Sequence, residues 1–195
     1  MRRSSVSMGF ILMLAFVFIV APSATVLAAG STPVAGLKQG DPIGAFRVTK
    51  IGGATNDEVE PGDFLCYRCR YGSSPMVMVF ARKVGPKSIE LVKKLDAAIE
   101  THESEKLRGL FTFIGADAAK LKEQAEAFVI SSGAKLVPIV VAEDVQDGPM
   151  DYQIGADDEV TILIAQDSQV VATHVCAADK IDVATVMSDV EAMLE

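Results

Sequence analysis

Six consecutive apolar residues, Met76-Val77-Met78-Val79-Phe80-Ala81, set the strongest constraint on this chain. A strand with one wet face alternates apolar and polar residues. An unbroken apolar run of this length suits a central strand buried on both faces. Pro86 follows at a position suited to the first residue of a helix. Ile89, Val92, Leu95 and Ile99 then recur at spacings of three and four, one face of a helix that ends near Ser104. Leu110 to Ile114 (LFTFI) is a second buried strand. A strand–helix–strand order of this kind forces parallel pairing through a right-handed crossover.

The remaining elements extend that layer. Phe46 to Ile51 reads as a first strand turned by Gly52-Gly53, and Ala54 to Asp63 is a polar loop holding Pro61-Gly62. Phe64 to Tyr71 reads as a strand or strand-like arm. Asp117 is placed to cap a helix with Leu121, Ala125, Phe128 and Val129 inward, which Gly133 closes. Val137 to Ala142 is a further strand, and Met150 to Ile154 a short helical turn. Val160 to Ala165 and Gln169 to Val175 form a hairpin. Asp182 caps a final helix carrying Val183, Val186, Val190 and Leu194. The expected architecture is α/β, a mixed sheet with helices on both faces.

The start of the chain reads differently. Arg2 and Arg3 precede an apolar stretch from Gly9 to Ala21, broken by Pro22 and followed by small residues at Val26-Leu27-Ala28. Basic, apolar and small, in that order, describe a cleavable secretory signal peptide over residues 1–28. The competing reading, an uncleaved anchor, needs about 20 apolar residues. Residues 29–39 are expected to be a flexible lead-in, and residues 40–195 a single domain. The expected location is periplasmic or secreted, without membrane attachment after cleavage. The leader holds two of the 18 basic residues and none of the 26 acidic ones, so the mature chain has a net charge of −10. Such a surface repels phosphate backbones and disfavours nucleic acid. An exported chain permits a disulfide among Cys66, Cys69 and Cys176, and an odd count leaves one thiol over.

The element order resembles the thioredoxin-like superfamily, more narrowly its redoxin or peroxiredoxin-type members, over Gly40 to Glu195. Gly40-Asp41-Pro42-Ile43-Gly44-Ala45-Phe46 is similar to the family's opening segment, and Met76–Ala81 to the strand that delivers its active site. Pro138 to Val141, Tyr152-Gln153-Ile154 and the terminal hairpin resemble its later elements. The resemblance implies a thioredoxin-like sandwich with chemistry where the central strand meets the next helix, often at Cys-Gly-Pro-Cys. Here that junction reads Val84-Gly85-Pro86-Lys87. The position matching the family's cis-proline holds Glu159. Both departures argue against the family's ordinary chemistry.

The cysteines lie elsewhere, at Cys66-Tyr67-Arg68-Cys69 ahead of the central strand. This spacing joins two sulfurs only if the chain bends locally, since i and i+3 face opposite sides of a strand. Arg68 and Arg70 would favour the Cys69 thiolate. Cys66 would be the first nucleophile by analogy with other C-x-x-C motifs, so the order stays open. Three readings follow. The first is thiol–disulfide exchange by Cys66 and Cys69, with no cofactor beyond thiols and with another exported protein or thiol donor as partner. The second is a redox-inactive module binding a protein or peptide in a groove lined by Val84, Lys87 and Glu159, with a structural cysteine pair. The third is a metal site of Cys66, Cys69, His174 and Cys176. Tyr67 and Tyr71 are expected to pack beside the cysteines.

Overall fold

A computed structural model of the chain describes residues 36–195. The expected signal peptide and the first part of the lead-in lie outside the described residues. In chain order the elements are β1 (Val48–Gly52), β2 (Phe64–Leu65), α1 (Tyr67–Tyr71), β3 (Met76–Ala81), α2 (Pro86–Thr101), β4 (Arg108–Phe113), α3 (Ala118–Ser132), β5 (Ile139–Ala142), a 3-10 turn (Met150–Tyr152), β6 (Val160–Gln166), β7 (Gln169–Cys176) and α4 (Val183–Leu194).

Seven strands form one mixed sheet in the order β2-β1-β5-β4-β3-β6-β7. All six residues of β3 are buried. It pairs in parallel with β4 and antiparallel with β6, so its backbone groups are satisfied on both edges. The steps from β3 to β4 and from β4 to β5 run the same way across the sheet. Right-handed crossovers therefore put α2 and α3 on the same face, where α4 joins them. Val77, Val79 and Ala81 point into that core. Met76, Met78 and Phe80 point into the other, which is covered by α1, the 3-10 turn and the segment around Leu37–Phe46. Helices lie on both faces, but the three long ones share one.

Local chemistry fixes the element ends. Pro86 opens α2 behind Gly85, whose N–H is accepted by the Ser88 hydroxyl. Asp117 accepts from the Ala119 and Lys120 N–H groups at the start of α3. Gly133 ends that helix in the left-handed region, at φ 63°. Asp182 caps α4 by accepting from Thr185 N–H. α2 stops at Thr101, three residues before the position expected from its apolar stripe. The end of the lead-in is anchored: Leu37 is buried, and Gly36 N–H donates to the Gln153 carbonyl at 2.8 Å.

Candidate functional site

The expected strand over Phe64–Tyr71 is two residues of strand followed by a helical turn. Two spacings in the sequence carry the reason. Tyr67 and Tyr71 are four apart, which on a helix puts both rings on one face, and both pack into the core beneath. Cys66 and Cys69 are three apart, and the same winding brings their Cα atoms to 5.2 Å, joined by a disulfide. Cys66 is the N-cap of α1, and its sulfur accepts from Cys69 N–H at 3.1 Å. Gly72 ends the helix at φ 60°. Cys66 is half-buried, while Cys69 is exposed.

The two arginines flanking Cys69 are engaged with backbone. Arg68 donates to the Gly72 carbonyl at 3.1 Å, and Arg70 to the Asp57 carbonyl at 2.9 Å. Beneath them lies a polar cluster that the sequence reading missed. Lys50 is 2% exposed, and its ammonium donates to the Ala54 and Val59 carbonyls and to Asp57 Oδ1 at 2.6–2.9 Å. An ammonium has three N–H donors, and all three are used. The other carboxylate oxygen of Asp57 accepts from the Tyr67 hydroxyl at 2.5 Å. Burial, with the Asp57 carboxylate beside it, pushes the Tyr67 phenol well above its ordinary value, so it stays a donor. The available signal was alternation: Lys50 sits two residues from Val48, on its buried side.

Beside α1 opens a cavity of about 450 Å³, with Tyr71, Ile99, Leu107 and Leu136 in its walls and Arg70 and Arg108 among its charged groups. Tyr71 donates to the Gly109 carbonyl at 3.2 Å.

The other candidate corner is at the far end of β3. The disulfide precedes Met76, whereas Val84-Gly85-Pro86-Lys87 follows Ala81. The strand between them rises about 17 Å. Lys87 pairs with Glu90 at 2.9 Å. Glu159 accepts from Arg82 N–H through its carbonyl at 2.8 Å. Its carboxylate pairs with Lys83 and accepts from Ala178 N–H. Those contacts hold the Glu159 carboxyl below its usual range, the Lys83 hydrogen bond first. An ion pair therefore occupies the corner, and no cis peptide occurs among the described residues. A cleft of about 590 Å³ beside it is lined by Val84, Pro86, Ile89 and Phe128 among others.

The four candidate metal ligands do not meet. Cys176 pairs across the sheet with Val160, and Val160 with Ala81, which places Cys176 at the corner end. Cys66 and Cys69 lie at the opposite end and are bonded to each other. His174 faces Asp189 of α4 at 2.8 Å. Among the described residues no group of three or more metal-ligating side chains is assembled. Nor, among them, is any helix long and apolar enough to cross a membrane.

The sheet order, the parallel β3-α2-β4-α3-β5 unit and the closing hairpin with α4 define a thioredoxin-like fold. Solved structures agree. A protein described as the thiol:disulfide interchange protein DsbE from Chlorobium tepidum superposes with a TM-score of 0.60 at 13% identity, covering 82% of this chain and 99% of that one. AhpC from Mycobacterium tuberculosis gives 0.59 at 19% identity, with coverage of 82% and 99%. PrxQ from Xylella fastidiosa gives 0.53 at 11% identity, with coverage of 82% and 98%. No protein-family model matches the chain, and no curated protein matches it in sequence.

Proposed function

We infer that the mature domain is an exported thiol–disulfide exchange protein acting through Cys66 and Cys69, at the pole of the sheet opposite the family's usual corner. The observation that carries this reading is the unequal pair of sulfurs: Cys69 is exposed, while Cys66 is half-buried and accepts the Cys69 amide hydrogen. A partner thiolate attacks Cys69 Sγ, a mixed disulfide forms, and Cys66 leaves as a thiolate that this hydrogen bond favours. A second thiol of the partner then attacks the mixed disulfide. The partner leaves oxidised, Cys69 leaves as a thiolate, and two electrons have passed to the Cys66–Cys69 pair. The more accessible sulfur is Cys69, and this reading takes it as the first one attacked. The neighbours described as thiol:disulfide interchange and peroxiredoxin proteins support a redox role, and a periplasmic or secreted location follows from the leader. The partner is another exported protein or a small thiol donor.

A purely structural staple gains less from this bond. Closing a loop of about four residues removes only about 2 kcal/mol of unfolded-chain entropy.

The test is the reduction potential of the pair, insulin reduction by the mature protein, and trapping. Cys66→Ser should accumulate a mixed disulfide on Cys69, and Cys69→Ser should not. A potential below about −300 mV without turnover would mark an inert disulfide. That outcome would favour the second reading, a redox-inactive module; the cleft at Val84, Pro86, Ile89 and Phe128 would be its groove, sharing Val84 with the expected one but lined by Arg82 and Lys83 rather than by Lys87 and Glu159.

A further inference from the structure

Tyr67 lies between the two cysteines in sequence, yet its side chain turns away from solvent. The ring is 1% exposed and packs 5.6 Å from that of Tyr71. Its hydroxyl donates to Asp57 Oδ2, and Arg70 donates to the Asp57 main-chain carbonyl. One residue of the Ala54–Val59 loop therefore grips α1 both before and after Cys69. Asp57 is itself fixed, because its other oxygen accepts from the Lys50 ammonium at 2.6 Å and from Val59 N–H at 3.0 Å. A continuous polar chain runs from β1, through Asp57, to the helical turn that presents both sulfurs.

That turn cannot hold itself. A five-residue helix is far below the length at which helices persist alone in water. With the disulfide open, the time the two thiols spend side by side depends on contacts from outside the turn. Disulfide closure is intramolecular, so its equilibrium follows the effective concentration of one thiol at the other. Ties that keep the dithiol wound raise that concentration without touching either sulfur.

The geometry points to Asp57 as the positioning residue of the Cys66–Cys69 pair: through Tyr67 and Arg70 it keeps α1 wound in the dithiol and so favours disulfide closure. The inference rests on the exchange reading only in concerning the same disulfide, and it is read from an equilibrium rather than from turnover. A protein that reduces no insulin can still confirm or overturn it.

The experiment equilibrates mature protein and two variants in dithiothreitol redox buffers at pH 7 and measures the fraction oxidised. Tyr67→Phe keeps the ring and removes the hydroxyl. Arg70→Lys keeps the charge beside Cys69 and removes the guanidinium fork. Tyr67→Phe should shift the equilibrium about tenfold toward the dithiol, a potential about 30 mV higher. Arg70→Lys should shift it about threefold in the same direction, and it stands in for Tyr67→Phe should that variant not fold. By linkage, Tyr67→Phe should lower the urea midpoint of the oxidised protein more than that of the reduced one. A dithiol–disulfide equilibrium within twofold of the native one, with equal losses in both redox forms, would show Asp57 to be a structural anchor only and would overturn the inference.

Discussion

The Lys50 ammonium and the Asp57 carboxylate meet at 2.6 Å, with Lys50 2% and Asp57 16% exposed. Water is excluded from the cation, so its charge is balanced by protein alone. Removing one partner of such a pair typically costs about 3–5 kcal/mol, because the other is left without compensation. Lys50→Met should lower unfolding free energy by about that much. Lys50→Met with Asp57→Asn removes both charges and should recover at least half of the loss. Urea denaturation of both single variants and the double variant closes the cycle. Additive losses would show that the two charges are not coupled.

Gly53 follows β1 at φ +69°, and a Cβ built there would stand 2.2 Å from the Val137 carbonyl oxygen. Both the backbone conformation and the space require glycine. Gly53→Ala should destabilise the protein by more than about 1 kcal/mol, since the usual entropic gain from replacing glycine is outweighed by strain. The accompanying loss should appear as faster amide exchange in β1 and β5, which pair from Val48–Ala142 to Gly52–Ile139. Unchanged exchange there would contradict the close approach.

Cys176 is the thiol left free among the described residues. Burial raises its pKa, and the Glu159 carboxylate adds to the rise. The thiolate is the reacting species, so iodoacetamide should modify Cys176 at pH 7 more slowly than a free cysteine of pKa about 8.5. The rate should climb as pH passes above that value. Glu159→Gln removes the carboxylate's share and should speed modification at pH 8, while burial keeps part of the delay. The sign for stability is the same: the folded protein retains a proton that the unfolded chain loses first. Stability from this group is therefore full below about pH 8.5 and falls as pH rises through the folded value. Mass spectrometry of the oxidised protein, with Cys66 and Cys69 joined, isolates the site.

The periodicities in the chain determined the elements. The MVMVFA run is β3, the stripe from Ile89 to Ile99 lies on α2, and Asp117, Gly133 and Asp182 end or begin helices as their chemistry requires. These are local properties, set by side-chain spacing and by hydrogen bonds within three or four residues. Tertiary structure decided what depends on partners distant in sequence. It wound Tyr67–Tyr71 into α1, because two tyrosines four apart had a core to enter. It turned Lys50 inward, because three carbonyl and carboxylate oxygens up to nine residues away were waiting there. It also set the cysteine pair and the Val84–Lys87 corner at opposite ends of β3, and His174 and Cys176 away from Cys66 and Cys69. Spacing along a chain carries no statement of which end of a sheet a loop returns to; that is fixed only when strands pair.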